Sequence, residues 1–273
     1  MGQYALGQAI KEKSGMPIYY DIEWYDYYGK DCSGRFNRNW ELERVFPLVT
    51  VKRASAKDIG FYKKCFNKRY NVNGTVYIFI EEILLSRYPR YLGEYYVDAR
   101  YLALSEKHLR EQLAFNTNSF SVDTQKMAET IINTTCAVAL QVRRGDFVTI
   151  GADKVSPPEY FYRALDSIEE MIWSIQDYTV YVFSDDIAYC KNMLSSRSEN
   201  FFFVDINDND NGAQDMYLMS LCRHFTISEI DFGWCGTFLS ELDVNKIVIL
   251  PKIWFNQPAG EANGMKLEGW IGL

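Results

Sequence analysis

From residue 136 onward, short apolar runs alternate with stretches of helical periodicity. Each run is nearly free of polar residues, which is typical of a strand buried on both faces of a sheet. The first helix between them is opened by Pro157 and Pro158 and carries its apolar face at Phe161, Leu165, Ile168 and Ile172. Strands are predicted at residues 136–142, 178–183, 201–204, 225–228 and 247–250, with further helices at 187–194, 214–222 and 231–242. Such alternation requires a parallel sheet with helices on its faces, so the C-terminal half is predicted to be a Rossmann-like α/β domain.

The first half of the chain is less regular. A helix is predicted from Tyr4 to Lys13 with its stop at Gly15, followed by a strand over residues 16–21. The apolar run at 76–85 fits a strand or a buried helix equally well. Helices are also predicted at 105–115, with Ser105 as cap, and at 124–132, with Asp123 or Thr124 as cap. We therefore predict an irregular α/β domain at 1–135, a Rossmann-like domain at 136–250 and a tail at 251–273 that packs back on the domains.

Composition narrows the class of protein. The 273 residues carry a net charge of -7, which argues against a nucleic-acid binder and makes any anion site a local basic pocket. Aromatic residues make up 16% of the chain, and their concentration in the first hundred residues fits sugar stacking or core packing. The six cysteines form no Cys-x-x-Cys pair, which favours reduced, buried thiols in a cytosolic protein. No apolar run is long enough to span a membrane.

Arg143 and Arg144 stand where the first of the predicted parallel strands ends, before the turn pair Gly145-Asp146. Ligands bind at the carboxyl ends of such strands, and paired guanidinium groups suit a phosphate because each offers a planar fork of donors. The alternative is a surface turn in which an arginine pairs with Asp146. The dipeptide alone favours the turn, and the residues that follow along the chain favour the phosphate site.

The next predicted strand ends in Ser184-Asp185-Asp186, which allows three interpretations. Ser184 or Asp185 would cap the following helix, with Asp186 favoured by the helix dipole. A carboxylate here would alternatively accept hydrogen bonds from a ribose or a guanine edge. A metal site ranks last, because neither histidine lies nearby. His224, at the end of a helical pattern, is predicted to be structural, and His108 lies within a helix without a functional signal.

Several blocks, in the right order along nearly the whole chain, resemble the bacterial α-1,2-fucosyltransferases. The hallmark of that family is His-x-Arg-Arg-Gly-Asp-Tyr, and residues 141–147 here read Gln-Val-Arg-Arg-Gly-Asp-Phe. Further similar blocks lie at 3–7, 95–101, 182–191, 215–224 and 251–255. The resemblance implies a GT-B fold of two Rossmann-like domains and a metal-independent transfer of fucose, with inversion, from GDP-fucose to a galactoside of a surface polysaccharide.

Roles for individual residues follow from the resemblance. Arg143 would stabilise the leaving diphosphate, and Arg144 would support it on the phosphate or by ordering the loop through Asp146. Asp185 or Asp186 would meet the ribose or guanine. The implied site residues are Arg143, Arg144 and Asp146 for catalysis and Gln3, Asp185, Asp186, Glu229, Asp231 and Phe232 for donor binding. No metal and no cofactor is expected beyond the donor substrate GDP-fucose; the acceptor would be a galactose-containing glycan, with acceptor choice made in the aromatic N-terminal half.

The chain also departs from the family pattern. Gln141 replaces the motif histidine, and Glu229, Ile230 and Asp231 replace hydroxyl and amide side chains that would face the donor phosphates. A carboxylate beside a pyrophosphate costs Coulomb energy. The family's glycine-rich phosphate loop would lie before Met1, so we expect either its loss or a start assigned too late. Residues 1–273 are therefore expected to turn over GDP-fucose weakly or not at all, and a catalytically impaired relative that binds nucleotide or glycan is the alternative function. The expected location is the cytoplasm or the inner face of the membrane, with peripheral association.

Overall fold

A computed structural model gives the fold. It describes residues 1–30, 34, 37–70, 75–76, 79–151, 155–172, 177–207, 211–228, 232–241, 245–252 and 264–273. The described chain divides into two compact units, Met1–Asn116 and Thr117–Leu273. Each unit has its own cluster of buried apolar side chains.

The N-terminal unit is mainly helical, with one pair of short parallel strands. Its elements in chain order are α1 (Gly2–Ser14), α2 (Glu23–Tyr27), α3 (Leu42–Val45), α4 (Ala56–Cys65), β1 (Thr75–Val76), α5 (Glu81–Leu85), β2 (Tyr95–Tyr96), α6 (Ala99–Ala103) and α7 (Glu106–Gln112). Helix α1 packs on α5 and α6 through Leu6, Ala9 and Ile10, which are buried. The predicted first helix and its end at Gly15 are confirmed.

Other predictions for this unit need correction. The strand predicted at 16–21 is wrong, because only Tyr20 forms a β-bridge there, to Arg53, and no strand pairs along the segment. The run at 76–85 begins at the end of β1 and finishes as helix α5. Ser105 lies at the N-cap position of α7, but its side chain makes no capping hydrogen bond.

The C-terminal unit is an α/β layer structure around a parallel sheet. Its elements are α8 (Val122–Ile132), β3 (Ala137–Val142), α9 (Gly145–Ile150), α10 (Pro158–Met171), β4 (Thr179–Ser184), α11 (Ile187–Met193), β5 (Phe201–Val204), α12 (Gly212–Ser220), β6 (His224–Ile227), α13 (Phe232–Leu239), β7 (Val248–Leu250) and β8 (Ile271–Gly272). The strands lie in the order β5-β4-β3-β6-β7-β8, and every adjacent pair is parallel. The α/β class and the parallel sheet of the C-terminal half are therefore confirmed.

The buried strands explain why the sequence pattern was so clear. Every residue of β3 is buried, and alternate residues Val138, Leu140 and Val142 join the apolar face of α10 in one core. That face consists of Phe161, Leu165, Ile168 and Ile172, as the spacing predicts. Burial of a side chain of this size stabilises the fold by about 1.5–3 kcal/mol.

The boundary between the units lies earlier than the predicted residue 135. Helix α8 belongs to the C-terminal unit because it packs on α12. The amide of Ser121 donates to Gln214 Oε1 (2.9 Å), and Thr124 Oγ1 donates to Asn207 Oδ1 (3.1 Å). Ser121, rather than Asp123 or Thr124, caps α8 by accepting from the amide of Thr124 at 3.1 Å.

The predicted tail contributes a strand to the sheet. Ile271 and Gly272 form β8 beside β7, and the ring centroids of Trp270 and Trp234 lie 5.5 Å apart. The indole nitrogen of Trp234 donates to the carbonyl of Met265 at 2.7 Å. These contacts fasten the end of the chain to α13. In the described part of the chain, no helix combines the length and the apolar character that crossing a bilayer requires.

Candidate active site

Arg143 and Arg144 lie at the carboxyl edge of the sheet, as predicted, directly after β3. The register places Val142 beside Ser184 of β4 and Gln141 beside Ile227 of β6. The ends of β3, β4 and β6 therefore meet, and the residues that follow each strand become neighbours. This edge is where a parallel sheet binds ligands, because the loops leave the strands there.

The Arg143 side chain is fixed by two carboxylates. Its Nη1 donates to Asp185 Oδ2 and its Nη2 to Asp146 Oδ1, both at 2.5 Å. Asp146 is buried, whereas a quarter of the Arg143 side chain is exposed. The guanidinium carbon also lies 5.2 Å from the ring centroid of Phe147. A planar cation is thus held in one orientation with part of its surface open to solvent.

Arg144 is bound to both acidic residues that follow β4. Its amide donates to Asp185 Oδ1 at 2.9 Å, and its Nε donates to Asp186 Oδ2 at 3.1 Å. The guanidinium carbon lies 3.5 Å from the ring centroid of Tyr189, which is a cation–π contact. Burial raises the pKa of Tyr189 despite the opposing effect of Arg144. The predicted ordering of the loop through an Arg144–Asp146 pair is wrong, because Arg143 is the arginine that Asp146 binds.

Asp185 and Asp186, which follow β4, have different roles. Asp186 is the N-cap of α11, and its Oδ1 accepts from the amide of Tyr189 at 3.0 Å. Ser184 Oγ accepts from the amide of Asp186 and donates to the carbonyl of Val142 at 2.7 Å, which ties β4 to β3. The capping interpretation is confirmed, but the cap is Asp186 rather than Ser184 or Asp185. Asp185 bridges the two arginines with its two oxygens.

Gly145 makes the close approach of Asp185 possible. A Cβ atom at Gly145 would lie 2.3 Å from Asp185 Oδ2, well inside van der Waals contact, and the residue has a φ of +29°. The predicted turn pair Gly145-Asp146 is in fact the first turn of helix α9. A side chain at position 145 would have to displace the Asp185 carboxylate from the arginines.

Gln141 occupies the position of the histidine in the family motif that residues 141–147 resemble. Its side chain is hydrogen-bonded to Ser228, the residue that follows β6. Its Oε1 accepts from the amide of Ser228 at 3.1 Å and from Ser228 Oγ at 3.0 Å. Ser228 Oγ in turn accepts from the amide of Arg143 at 2.8 Å. Gly233 of α13 packs so closely that a Cβ there would lie 2.8 Å from Gln141 Oε1. The buried Gln141 thus connects β3 with the end of β6 and with α13, and Ser228 connects it with the amide of Arg143.

Replacing Gln141 by leucine should destabilise the C-terminal unit. Leucine has a similar volume but no acceptor, so two buried donors of Ser228 would lose their partner, at about 1–3 kcal/mol each. We expect the free energy of unfolding to fall by about 2 kcal/mol in urea titrations. Gln125→Leu is the control, because Gln125 is exposed and its replacement should change stability by less than about 0.5 kcal/mol. Equal urea midpoints for the two variants would contradict the role assigned to Gln141.

The other residues predicted to bind the donor are Gln3, Glu229, Asp231 and Phe232. Phe232 is the first residue of α13 and is half-buried, so it follows the same edge of the sheet as Ser228. Glu229 and Asp231 lie outside the described residues. Gln3 lies on α1 in the N-terminal unit, where it lines a cavity. The structure thus brings together Arg143, Arg144, Asp146, Asp185 and Asp186. The catalytic and donor-binding roles of all the predicted site residues stay predictions.

The sequence interpretation missed the contributions of Ser228 and Tyr189. Ser228 ends a predicted strand, and parallel strands meet at one edge of the sheet with their carboxyl ends, so this rule pointed to Ser228.

The prediction for His224 also needs correction. His224 is the first residue of β6 rather than the end of a helix, and its Nδ1 accepts from the amide of Ile247 at 3.1 Å. Among the residues described, no group of three or more His, Cys, Asp or Glu side chains is arranged to hold a metal ion. No disulfide bond joins any of the five described cysteines.

The arrangement suits stabilisation of an anion. Two guanidinium groups are held at one sheet edge by Asp146, Asp185 and Asp186. Cations that are already oriented need little reorganisation when negative charge develops beside them, which lowers the free energy of a transition state with a departing phosphate. Two guanidinium groups and three carboxylates give these five side chains a formal charge of −1. An anion would therefore bind through direct hydrogen bonds to the exposed part of the guanidinium groups rather than through the net charge of the cluster.

Comparison with known protein families identifies relatives. The sequence profile of a family described as Glycosyl transferase family 11 matches residues 61–273. An alpha-1,2-colitosyltransferase from Escherichia coli is 31% identical over 183 residues, which are 65% of this chain and 60% of the relative. The O-antigen biosynthesis glycosyltransferase WbnK, also from Escherichia coli, is 30% identical over 139 residues, 50% of this chain and 44% of the relative. The chain thus spans about half the length of the curated relatives it matches.

Solved structures align over similar fractions of the chain. POFUT1 in complex with GDP aligns over 48% of this chain and 48% of that chain, with a TM-score of 0.33 and 16% identity. POFUT1 in complex with GDP-fucose aligns over 51% of this chain and 44% of that chain, with a TM-score of 0.30 and 15% identity.

Proposed function

Because this chain belongs to glycosyl transferase family 11, we propose that it transfers fucose from GDP-fucose to a hydroxyl group of a galactoside, with inversion at the anomeric carbon. The acceptor oxygen forms the new bond to that carbon as the bond to the diphosphate breaks. The electron pair of the broken bond stays on the diphosphate, and the hydroxyl proton is released. The resemblance of residues 141–147 to the fucosyltransferase motif supports fucose as the donor sugar.

The observation that carries the proposal is the arginine pair at the carboxyl edge of the sheet. Arg143 and Arg144 are held by Asp146, Asp185 and Asp186 within one cluster. A leaving diphosphate gains negative charge in the transition state, so fixed cations stabilise that state more than the bound substrate. In this proposal Arg143 stabilises the negative charge that develops on the diphosphate. Arg144 assists through its stacked guanidinium, and Asp185 keeps both arginines oriented through its two oxygens.

Incubation with GDP-fucose and a panel of β-galactosides tests the proposal. Because the sequence predicts weak turnover, the expected result is slow release of GDP with formation of an α-fucoside, whose anomeric configuration is read by NMR. GDP-colitose is the second donor to test, because one relative is an alpha-1,2-colitosyltransferase, and GDP-mannose is the control. GDP binding in calorimetry without release from any donor would instead support a relative that binds without turnover. Absence of both binding and release would contradict the proposal.

We further expect the reaction to proceed without a metal ion. The positive charge that Mg²⁺ supplies in phosphoryl transfer would be supplied in this glycosyl transfer by the two guanidinium groups. Addition of EDTA should leave the rate of GDP release unchanged within a factor of about two. A rate that falls in EDTA and recovers with Mg²⁺ or Mn²⁺ would show that a metal is required.

A further inference from the structure

A large cavity in the N-terminal unit is lined by exposed aromatic side chains. Its volume is about 900 Å³, which is within the range of small-molecule sites. Several rings on its walls are between 42% and 80% exposed and therefore contribute little to the core: Tyr19, Trp24, Tyr27, Tyr28 and Tyr88. Aromatic surface left open to water in one concave region marks a binding site rather than packing.

Polar groups on the same walls are held in fixed positions. Asp21 Oδ2 accepts from Tyr91 Oη at 2.6 Å and from Lys63 Nζ at 2.8 Å, and Asp21 Oδ1 accepts from the amide of Glu23 at 3.0 Å. Although burial opposes it, hydrogen bonds from Lys63 and Tyr91 lower the pKa of Asp21. The carboxylate is therefore ionised and oriented, with 17% of its side chain exposed.

The charge on the walls argues against an anionic ligand. The acidic side chains that line the cavity outnumber the basic ones: Asp21, Glu23, Asp58 and Glu94 against Lys63 and Arg90. A nucleotide diphosphate would meet net repulsion here. A neutral molecule rich in hydroxyl groups would not, because hydroxyls donate to carboxylates and the aliphatic faces of sugar rings pack on aromatic rings.

We propose that this cavity binds a neutral oligosaccharide, the acceptor of the transfer reaction, with its sugar rings on Trp24, Tyr27 and Tyr28 and a hydroxyl group donating to Asp21. The role as acceptor rests on the proposed function; the binding of a neutral glycan does not. Tyr27 and Tyr28 are the main stacking surfaces because they are among the most exposed rings on the walls. Asp21 supplies orientation, since Lys63 and Tyr91 fix its plane.

A glycan array with neutral galactosides, neutral glucosides and sialylated glycans tests the site. The labelled chain should be retained by at least one neutral glycan and not by sialylated ones. Replacing both tyrosines, Tyr27→Ala with Tyr28→Ala, should weaken retention at least about tenfold, because both of the main stacking surfaces are lost. Asp21→Asn should weaken it less. The control is Phe61→Ala, because Phe61 is exposed in the same unit but does not line the cavity.

Calorimetry with GDP separates this proposal from the proposed function. All of these variants should bind GDP as the parent does and should show its circular dichroism melting curve. If the tyrosine variant loses glycan retention while the parent releases no GDP from any donor, the cavity proposal is supported and the proposed transfer reaction is contradicted. Retention of no neutral glycan by the parent, a preference for sialylated glycans, or unchanged retention by the tyrosine variant would overturn the cavity proposal.

Discussion

Replacing Arg143 by alanine is expected to weaken GDP binding about 100-fold, which corresponds to about 2.8 kcal/mol. The arginine is the cation that Asp146 and Asp185 hold at the end of β3, and loss of a hydrogen-bonded charge at a partly buried phosphate contact costs about 2–5 kcal/mol. Arg143→Lys should recover only part of the affinity, because an ammonium group cannot reproduce the planar fork. Isothermal titration with GDP measures each value.

Arg197→Ala provides a matched control in the same unit. Arg197 also pairs with two carboxylates, Asp166 and Glu199, but it precedes β5 and so lies toward the opposite edge of the sheet. Its loss should leave GDP affinity unchanged. Because Arg143→Ala leaves the buried carboxylate of Asp146 without this partner, urea unfolding must show that the variant is folded under the titration conditions. GDP binding by folded Arg143→Ala with the affinity of the parent would place the donor site elsewhere.

The substitution Gly145→Ala is expected to disrupt the cluster of Arg143 and Arg144 with their three carboxylates. The added Cβ would lie 2.3 Å from Asp185 Oδ2, so Asp185 must turn away and give up its bonds to both arginines. The φ of +29° adds backbone strain for any residue with a side chain. We expect Gly145→Ala to lower the free energy of unfolding by about 1–3 kcal/mol and to weaken GDP binding at least about tenfold.

Two comparisons make the Gly145 prediction specific. Gly212→Ala should be nearly neutral, because the nearest atom to its added Cβ is Phe232 Cε2 at 3.8 Å, an ordinary contact. In a background carrying Asp185→Ala the collision is removed, so Gly145→Ala should cost less stability there than in the parent. Additive losses in that double-mutant cycle would show that the collision with Asp185 is not the cause.

The two halves of the chain differed in how far their elements could be predicted. Strands buried on both faces, such as β3 and β4, are continuous apolar runs, and α10 shows the helical period of its buried face. Strand β8 is only Ile271 and Gly272, too short for any pattern. The strand predicted at 16–21 failed because a strand requires a partner along its length, and only Tyr20 has one.

The sequence by itself determined the strand and helix order of the C-terminal half and the position of Arg143 and Arg144 at a strand end. Local periodicity and the topology of parallel strands are enough for both, because each depends on neighbouring residues or on a general rule. Asp185 and Asp186 could be placed at the same edge by that rule. Their tasks could not be separated, since capping and ion pairing use the same carboxylate chemistry.

Only the tertiary structure decided which carboxylate binds which arginine. Asp185 and Asp186 reach the arginines across more than forty residues of sequence, and Gln141 reaches Ser228 across more than eighty. Such contacts depend on strand register and on side-chain packing, which local patterns do not encode. The same holds for the cavity of the N-terminal unit, where aromatic residues along the chain allowed core packing or sugar binding. Their exposure around one concave space is a property of the fold, because it depends on how separate segments come together.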